Sequence, residues 1–330
     1  MKNYIMLLLI GCLLLLTESC KTNTVSKADE SETRVTAPSF SADSAYLYIQ
    51  EQVNFGPRVP NTKAHIECGE YLAQKLEEFG ATVTSQYTDL IAYNGTMLKS
   101  RNIIGTYNPE SKKRIALFAH WDTRPWADND PDKKNHYSPV LGANDGASGV
   151  GVLLEIARLI NKEAPTIGVD IIFFDAEDYG EHRQEGGTSK EEFWALGSQY
   201  WARYPHTEGY NARFGILLDM VGGKNATFYR EGYSEQYAPG INKKVWNTAK
   251  TLGYSKFFID ERTTAVTDDH TFVNRIARIP TIDIVPNMVN AKRSSFGDTW
   301  HTVHDNMDNI SKETLQAVGQ TVVSVIYNEK

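Results

Sequence analysis

Val169-Asp-Ile-Ile-Phe-Phe174, leading at once into Asp175-Ala-Glu177-Asp178, is the stretch on which the fold turns. A strand with one wet face alternates apolar and polar residues, whereas this run is nearly continuous. It is the pattern of a strand covered on both faces, as in parallel sheets. The same pattern returns in Ile115-Ala-Leu-Phe118, which leads into Ala-His120-Trp-Asp122, and in Phe214-Gly-Ile-Leu-Leu218, which leads into Asp219. Further strands are expected at about 101–107 and 281–285. Helical periodicity predicts helices at about 43–54, 62–79, 146–161, 190–203, 240–252 and 311–328. Strands alternating with helices predict an α/β domain of three layers, with a mostly parallel central sheet flanked by helices.

The residues just past each strand carry the functional signal. Parallel strands bring their C-terminal ends to one edge of a sheet, where α/β proteins bind ligands. His120, Glu177 with Asp178, and Asp219 would therefore meet at one edge. Asn144-Asp145-Gly-Ala-Ser-Gly149 adds an Asp at a helix start, and Trp300-His301-Thr-Val-His304-Asp305 adds imidazole late in the chain. A single carboxylate after a strand is more often a helix cap than a functional group. Five such pieces in this order on one α/β pattern make a metal site.

Composition narrows the class. The 330 residues are 41% hydrophobic and 23% charged, with a net charge of −7. That is a globular balance, and an acidic chain without a basic run lacks the clustered cations that nucleic-acid binding needs. Lys2 precedes an apolar run from Tyr4 to Leu16, too short for a membrane span of roughly 20 residues but suited to an export signal. Residues 1–19 are read as that signal, and Ser19-Cys20 resembles a bacterial lipoprotein box with Cys20 lipidated. The alternative is cleavage by an ordinary signal peptidase, with Cys20 incidental. Residues 20–40 hold seven Ser or Thr and are expected to be a flexible tether; residues 41–330 are read as one catalytic domain. The implied location is the cell envelope, anchored by lipid and facing the periplasm. Cys68 shares a helical face with Leu72, Leu76 and Phe79, so a buried thiol is expected rather than a nucleophile.

Through His120-Trp-Asp122, Asn144-Asp145-Gly-Ala-Ser-Gly149, Glu177-Asp178, Leu218-Asp219, Asp268-Asp269-His270 and Trp300-His301-Thr302, the chain resembles the zinc aminopeptidase superfamily and its type II glutaminyl cyclases. The resemblance covers roughly residues 45–330. In the two-zinc aminopeptidases it implies that Asp145 bridges, that His120 and Asp219 hold one metal, and that Asp178 and His301 hold the other. In the cyclases it implies one zinc on Asp145, Asp178 and His301, with His120 and Asp219 orienting the site. Glu177 is then the general acid and base, and Asp268, hydrogen-bonded to Asp219, steadies the reacting amide. Trp300 and Trp194 wall the pocket. Trp300 before His301, the Asp268-Asp269 doublet and the 180–195 insertion favour the cyclase, whose substrates are peptides with N-terminal Gln. Asp178 stands where Glu is common in the family, which shortens that ligand's reach. Hydrolysis of N-terminal residues by a two-zinc site is the rival, and a peptide-binding lipoprotein without catalysis is a third reading.

Other polar stretches point away from the chemistry. Asp128-Asn-Asp130-Pro-Asp132 lacks the Gly and Glu of a calcium loop and is expected to be a solvated loop at the pocket rim. His136, His182, His206 and His304 have no strand-end context and are expected at the surface or in structural roles. His270 is expected to support Asp268 without touching metal.

Overall fold

The computed structural model describes residues 36–183 and 190–330. Cys20, the signal segment and most of the expected tether lie outside the described residues, as does the 184–189 part of the insertion. The chain opens with α1 (Ala42–Asn54) and α2 (Lys63–Glu78), then β1 (Thr82–Ile91), β2 (Met97–Tyr107) and β3 (Arg114–His120). Next come α3 (Ala147–Lys162), β4 (Gly168–Phe174), α4 (Leu196–Arg203), β5 (Gly215–Leu218) and β6 (Phe228–Arg230). The order closes with α5 (Gly232–Tyr237), α6 (Pro239–Thr251), β7 (Phe258–Arg262), α7 (Asp269–Phe272), β8 (Thr281–Ile284) and α8 (Lys312–Tyr327).

The main sheet has the order β1-β2-β4-β3-β5-β8. The four strands β4, β3, β5 and β8 run parallel, while β1 and β2 form an antiparallel edge. The continuous apolar runs are explained by burial on both faces. Ile115, Leu117 and Ala119 point into a core shared with α1, α3 and α8. Ala116 and Phe118 point the other way, against Trp201 of α4 and Val273. That is the three-layer α/β arrangement expected, and Cys68, Leu72, Leu76 and Phe79 are all buried on one face of α2. Burial pushes the Cys68 thiol up to about 12, so it is not a nucleophile at neutral pH.

Two expectations change. The helix expected at 190–203 begins only at Leu196. Ala195 takes φ 54°, and the N–H groups of Ala195 and Leu196 donate to Glu177 O (3.0 Å) and Ala176 O (3.1 Å). Pairing with the Glu177 loop replaces the missing helical turns and fixes Trp194 beside it. The tether ends early: Phe40 is buried, and its N–H donates to Gln320 Oε1 at 2.9 Å.

Candidate active site

Three strand ends, one helix start and one loop deliver the functional groups. β3 ends on His120, β4 leads to Glu177 and Asp178, and β5 leads to Asp219. Asp145 precedes α3, and His301 lies in the loop before α8. Asp145 joins the two halves of the site. Its Oδ1 lies 3.0 Å from His120 Nε2 and its Oδ2 3.7 Å from His301 Nε2. His120 Nε2 also reaches Asp219 Oδ1 at 3.2 Å, and His301 Nε2 reaches Asp178 Oδ1 at 3.2 Å. The result is two donor groups with a shared carboxylate, His120-Asp145-Asp219 and Asp145-Asp178-His301, all buried.

The backbone is forced into this geometry. A Cβ on Gly146 would sit 2.5 Å from His120 O, so only glycine lets the Asp145 loop approach β3. Ala176, Met220 and His301 hold φ of 53°, 52° and 55°, each at or beside a site residue. Such conformations cost on the order of 1–3 kcal/mol each and persist where the surroundings impose them.

Buried carboxylates supply that imposition. Asp122 accepts from the N–H groups of Glu177 (3.0 Å) and Asp178 (3.2 Å), and stands 3.4 Å from His120 Nδ1. Asp305 does the same for Asn144 (2.8 Å) and Asp145 (3.0 Å). Asp128 lies 3.4 Å from His301 Nδ1 and is itself held by Arg124 through Nε at 3.1 Å and Nη2 at 2.5 Å. The expected solvated loop at 128–132 is therefore corrected. Asp128 and Asp130 are buried, the first turned to His301 and the second accepting from the N–H groups of Asp132 and Val303.

Charge is concentrated here. Glu177 stays partly open to solvent, but desolvation, and then the charges of Asp268, Asp178 and Asp269, outweigh His120 and push its carboxyl well above the usual range. Burial followed by the charge of Asp268 raises Asp219 to about 8. Asp268 groups with His270 and Asp283, and its charge adds to burial in raising Asp219, whose Oδ1 faces His120. His270 Nε2 lies 3.0 Å from Glu231 Oε2, which ties this cluster to the start of α5.

A cation fits the second of these donor groups. Asp145, Asp178 and His301 offer oxygen, oxygen and nitrogen donors within 4.8 Å of one another, and Asp178 Oδ2 is buried without a hydrogen-bond partner. Three such protein groups with room for a further ligand are the pattern of a catalytic zinc. Residues 102–326 match Peptidase family M28. The chain belongs to that family. A solved glutaminyl cyclase of Bacteroides thetaiotaomicron, bound to N-acetylhistamine, is 69% identical, with a TM-score of 0.87 over 89% of this chain and 100% of that one. Aminopeptidase YwaD of Bacillus subtilis is 25% identical over 296 residues, 86% of this chain but only 56% of that protein's length. The glutaminyl-peptide cyclotransferase of Bos taurus is 24% identical over 288 residues, 78% of this chain and 74% of that protein.

Within this Peptidase family M28 chain, both expected tryptophans lie at the site. The Trp300 ring stacks on His301 at 3.7 Å between centroids, and the Trp194 ring lies nearly parallel to His301 at 6.3 Å. Arg124 sits over the Trp194 ring at 4.8 Å while donating to Asp178 O at 3.0 Å. Arg124, Asp128 and Asp305 were not among the expected site residues. Their positions in loops after His120 and His301 were the available signal, since loops beside ligands hold the ligands' supports.

Proposed function

We propose that the chain is a zinc-dependent glutaminyl-peptide cyclotransferase, converting the N-terminal Gln of peptides and proteins to pyroglutamate with release of ammonia. The observation that carries the choice of reaction is the 69% identity to the Bacteroides cyclase over 89% of the chain. One zinc per chain on Asp145, Asp178 and His301 is part of the reading, with His120 and Asp219 orienting the site. Bound there, zinc would polarise the side-chain amide carbonyl of the substrate as a Lewis acid.

The chain's own residues do the rest. The substrate's α-amine forms the new C–N bond with its own side-chain amide carbon, so the reaction is intramolecular and the protein chiefly fixes geometry. Glu177 accepts the proton that the amine loses and returns it to the departing nitrogen, which leaves as ammonia. A carboxyl raised above its ordinary range by burial holds a proton more readily than a solvated one, which suits a group that takes the proton and passes it on. Asp268 accepts from the amide N–H and keeps the leaving group aligned. Trp300 and Trp194 supply flat apolar walls that hold a small side chain and shed water.

Hydrolysis by a two-metal site is favoured by one observation, the complete His120-Asp145-Asp219 donor group. Ammonia release separates the two readings. A Gln-initiated peptide should yield one ammonia per peptide with no free amino acid; free Gln without ammonia would assign hydrolysis instead. The lipid anchor at Cys20, with the enzyme facing the periplasm, belongs to the same proposal and is supported by Lys2, the apolar run and Ser19-Cys20. Cys20→Ala should move the protein from the membrane to the soluble fraction; retention at the membrane would dismiss the anchor.

A further inference from the structure

A cleft of about 180 Å³ lies between α2 and the β1–β2 pair, with Trp121 among its lining residues. Its chemistry differs from that of the catalytic centre. Trp121 and His65 stack at 4.3 Å and 14°, and both are buried. Tyr87 and Ile66, 64% and 60% exposed, stand at its margin. The charges around it are paired: Arg101 Nη1 lies 2.8 Å from Glu70, and Lys99 Nζ lies 2.8 Å from Asp89. Paired charges leave little net field for an ionic ligand. Two buried polar atoms in lining residues, His65 Nδ1 and Ser100 Oγ, have no hydrogen-bond partner. Buried polar atoms in native proteins normally have one.

Size narrows the occupant further. A cavity of roughly 150 Å³ admits benzene, so this cleft has room for one ring of phenol or indole size. We propose that it is a second ligand site, taking a single neutral aromatic ring with a hydrogen-bonding group, packed against Trp121 and His65 and bonded through Ser100. Such a ring could come from a free small molecule or from a Tyr or Trp side chain of a bound polypeptide.

The site reports to the catalytic edge. His65 Nε2 lies 2.9 Å and 3.0 Å from the two oxygens of Asp175. Asp175 Oδ1 in turn accepts from the N–H of Ala176 at 2.7 Å, the residue before Glu177. Trp121 is flanked in the chain by His120 and Asp122. A ring in the cleft therefore touches two residues that set the positions of His120 and Glu177.

Ligand-observed NMR with phenol, toluene and indole tests this without reference to turnover. The wild type, Ser100→Ala, Tyr87→Ala and Trp194→Ala are compared, with thermal melts to confirm folding. Phenol and indole should bind saturably to the wild type. Ser100→Ala should weaken phenol about fivefold and leave toluene unchanged, Tyr87→Ala should weaken all three, and Trp194→Ala should weaken none. The exposed Tyr87 keeps the test valid if Ser100→Ala folds poorly. No saturable binding, or binding lost in Trp194→Ala but kept in Tyr87→Ala, overturns the proposal. Peptides carrying Tyr or Ala beyond their first residue then separate the sources: tighter binding of the Tyr peptide, abolished by Tyr87→Ala, points to a polypeptide, and equal binding to a free small molecule.

Discussion

Glu177 draws its chemistry from its neighbours. A lone carboxylate at neutral pH is a weak base, but desolvation and the charges of Asp268 and Asp178 raise this one. Glu177→Gln keeps the shape and removes the proton acceptor. We expect turnover of a Gln-initiated peptide to fall by about 10²- to 10⁴-fold, with zinc content and melting temperature held. Equal loss of zinc would instead assign Glu177 to metal binding. Asp145 is the counterpart on the binding side, because its two oxygens face His120 and His301 separately. Both residues were legible in the sequence, since each lies just past a strand or opens a helix. The cluster around Asp268 was not, because Asp283, and Glu231 that bonds His270, lie 15 and 37 residues from Asp268 and only the fold brings them together.

At the scale of elements, the site is held by carboxylates that clamp loops. Asp128 faces His301 Nδ1 while Arg124 fixes Asp128. Partners of this kind set the orientation of a ligand histidine, and their loss costs about 10- to 100-fold in metal affinity. Asp128→Asn should weaken zinc binding within that range in competition with a chromophoric chelator; unchanged affinity would make Asp128 a packing residue. Glu231 is the clamp for α5 and the 263–268 segment, accepting from the N–H groups of Tyr233, Ser234 and Val266. Burial opposes its charge, but His270 and these donors prevail and bring it from 4.5 down to about 2. A depressed carboxylate adds stability above its unfolded pKa and loses it as pH falls toward the folded one. The shift corresponds to on the order of 3 kcal/mol. Denaturant unfolding should therefore show a gap between wild type and Glu231→Gln at about pH 6 that narrows by about 1.4 kcal/mol per pH unit below about pH 4.5. A gap independent of pH would contradict the ionised state. The central strands were legible because two-sided burial writes a continuous apolar run. The helix expected at 190–203 was misread because Ala195 bonds to the Glu177 loop instead of continuing a helix. Strand β1 was missed because its burial is only partial along its length. Asp128 was misjudged because its acidic neighbours suggest solvent, while Arg124 and the sequence-distant His301 hold it inside.

For the whole molecule, the parallel strands carry the functional logic. β3, β4 and β5 bring His120, Glu177 and Asp219 to one sheet edge, and the loops before α3 and α8 add Asp145 and His301. The relatives include both an aminopeptidase and a glutaminyl-peptide cyclotransferase, so the fold alone does not choose between water and the substrate's own amine as nucleophile. The proposed reaction turns on attack by the amine. Mass spectrometry of a Gln-initiated peptide incubated with the enzyme in heavy-oxygen water tests it directly. A single product about 17 Da lighter is expected, the mass of the ammonia lost when the amine forms the ring, with no heavy oxygen incorporated. A shortened peptide together with free Gln bearing heavy oxygen in its carboxylate would contradict it.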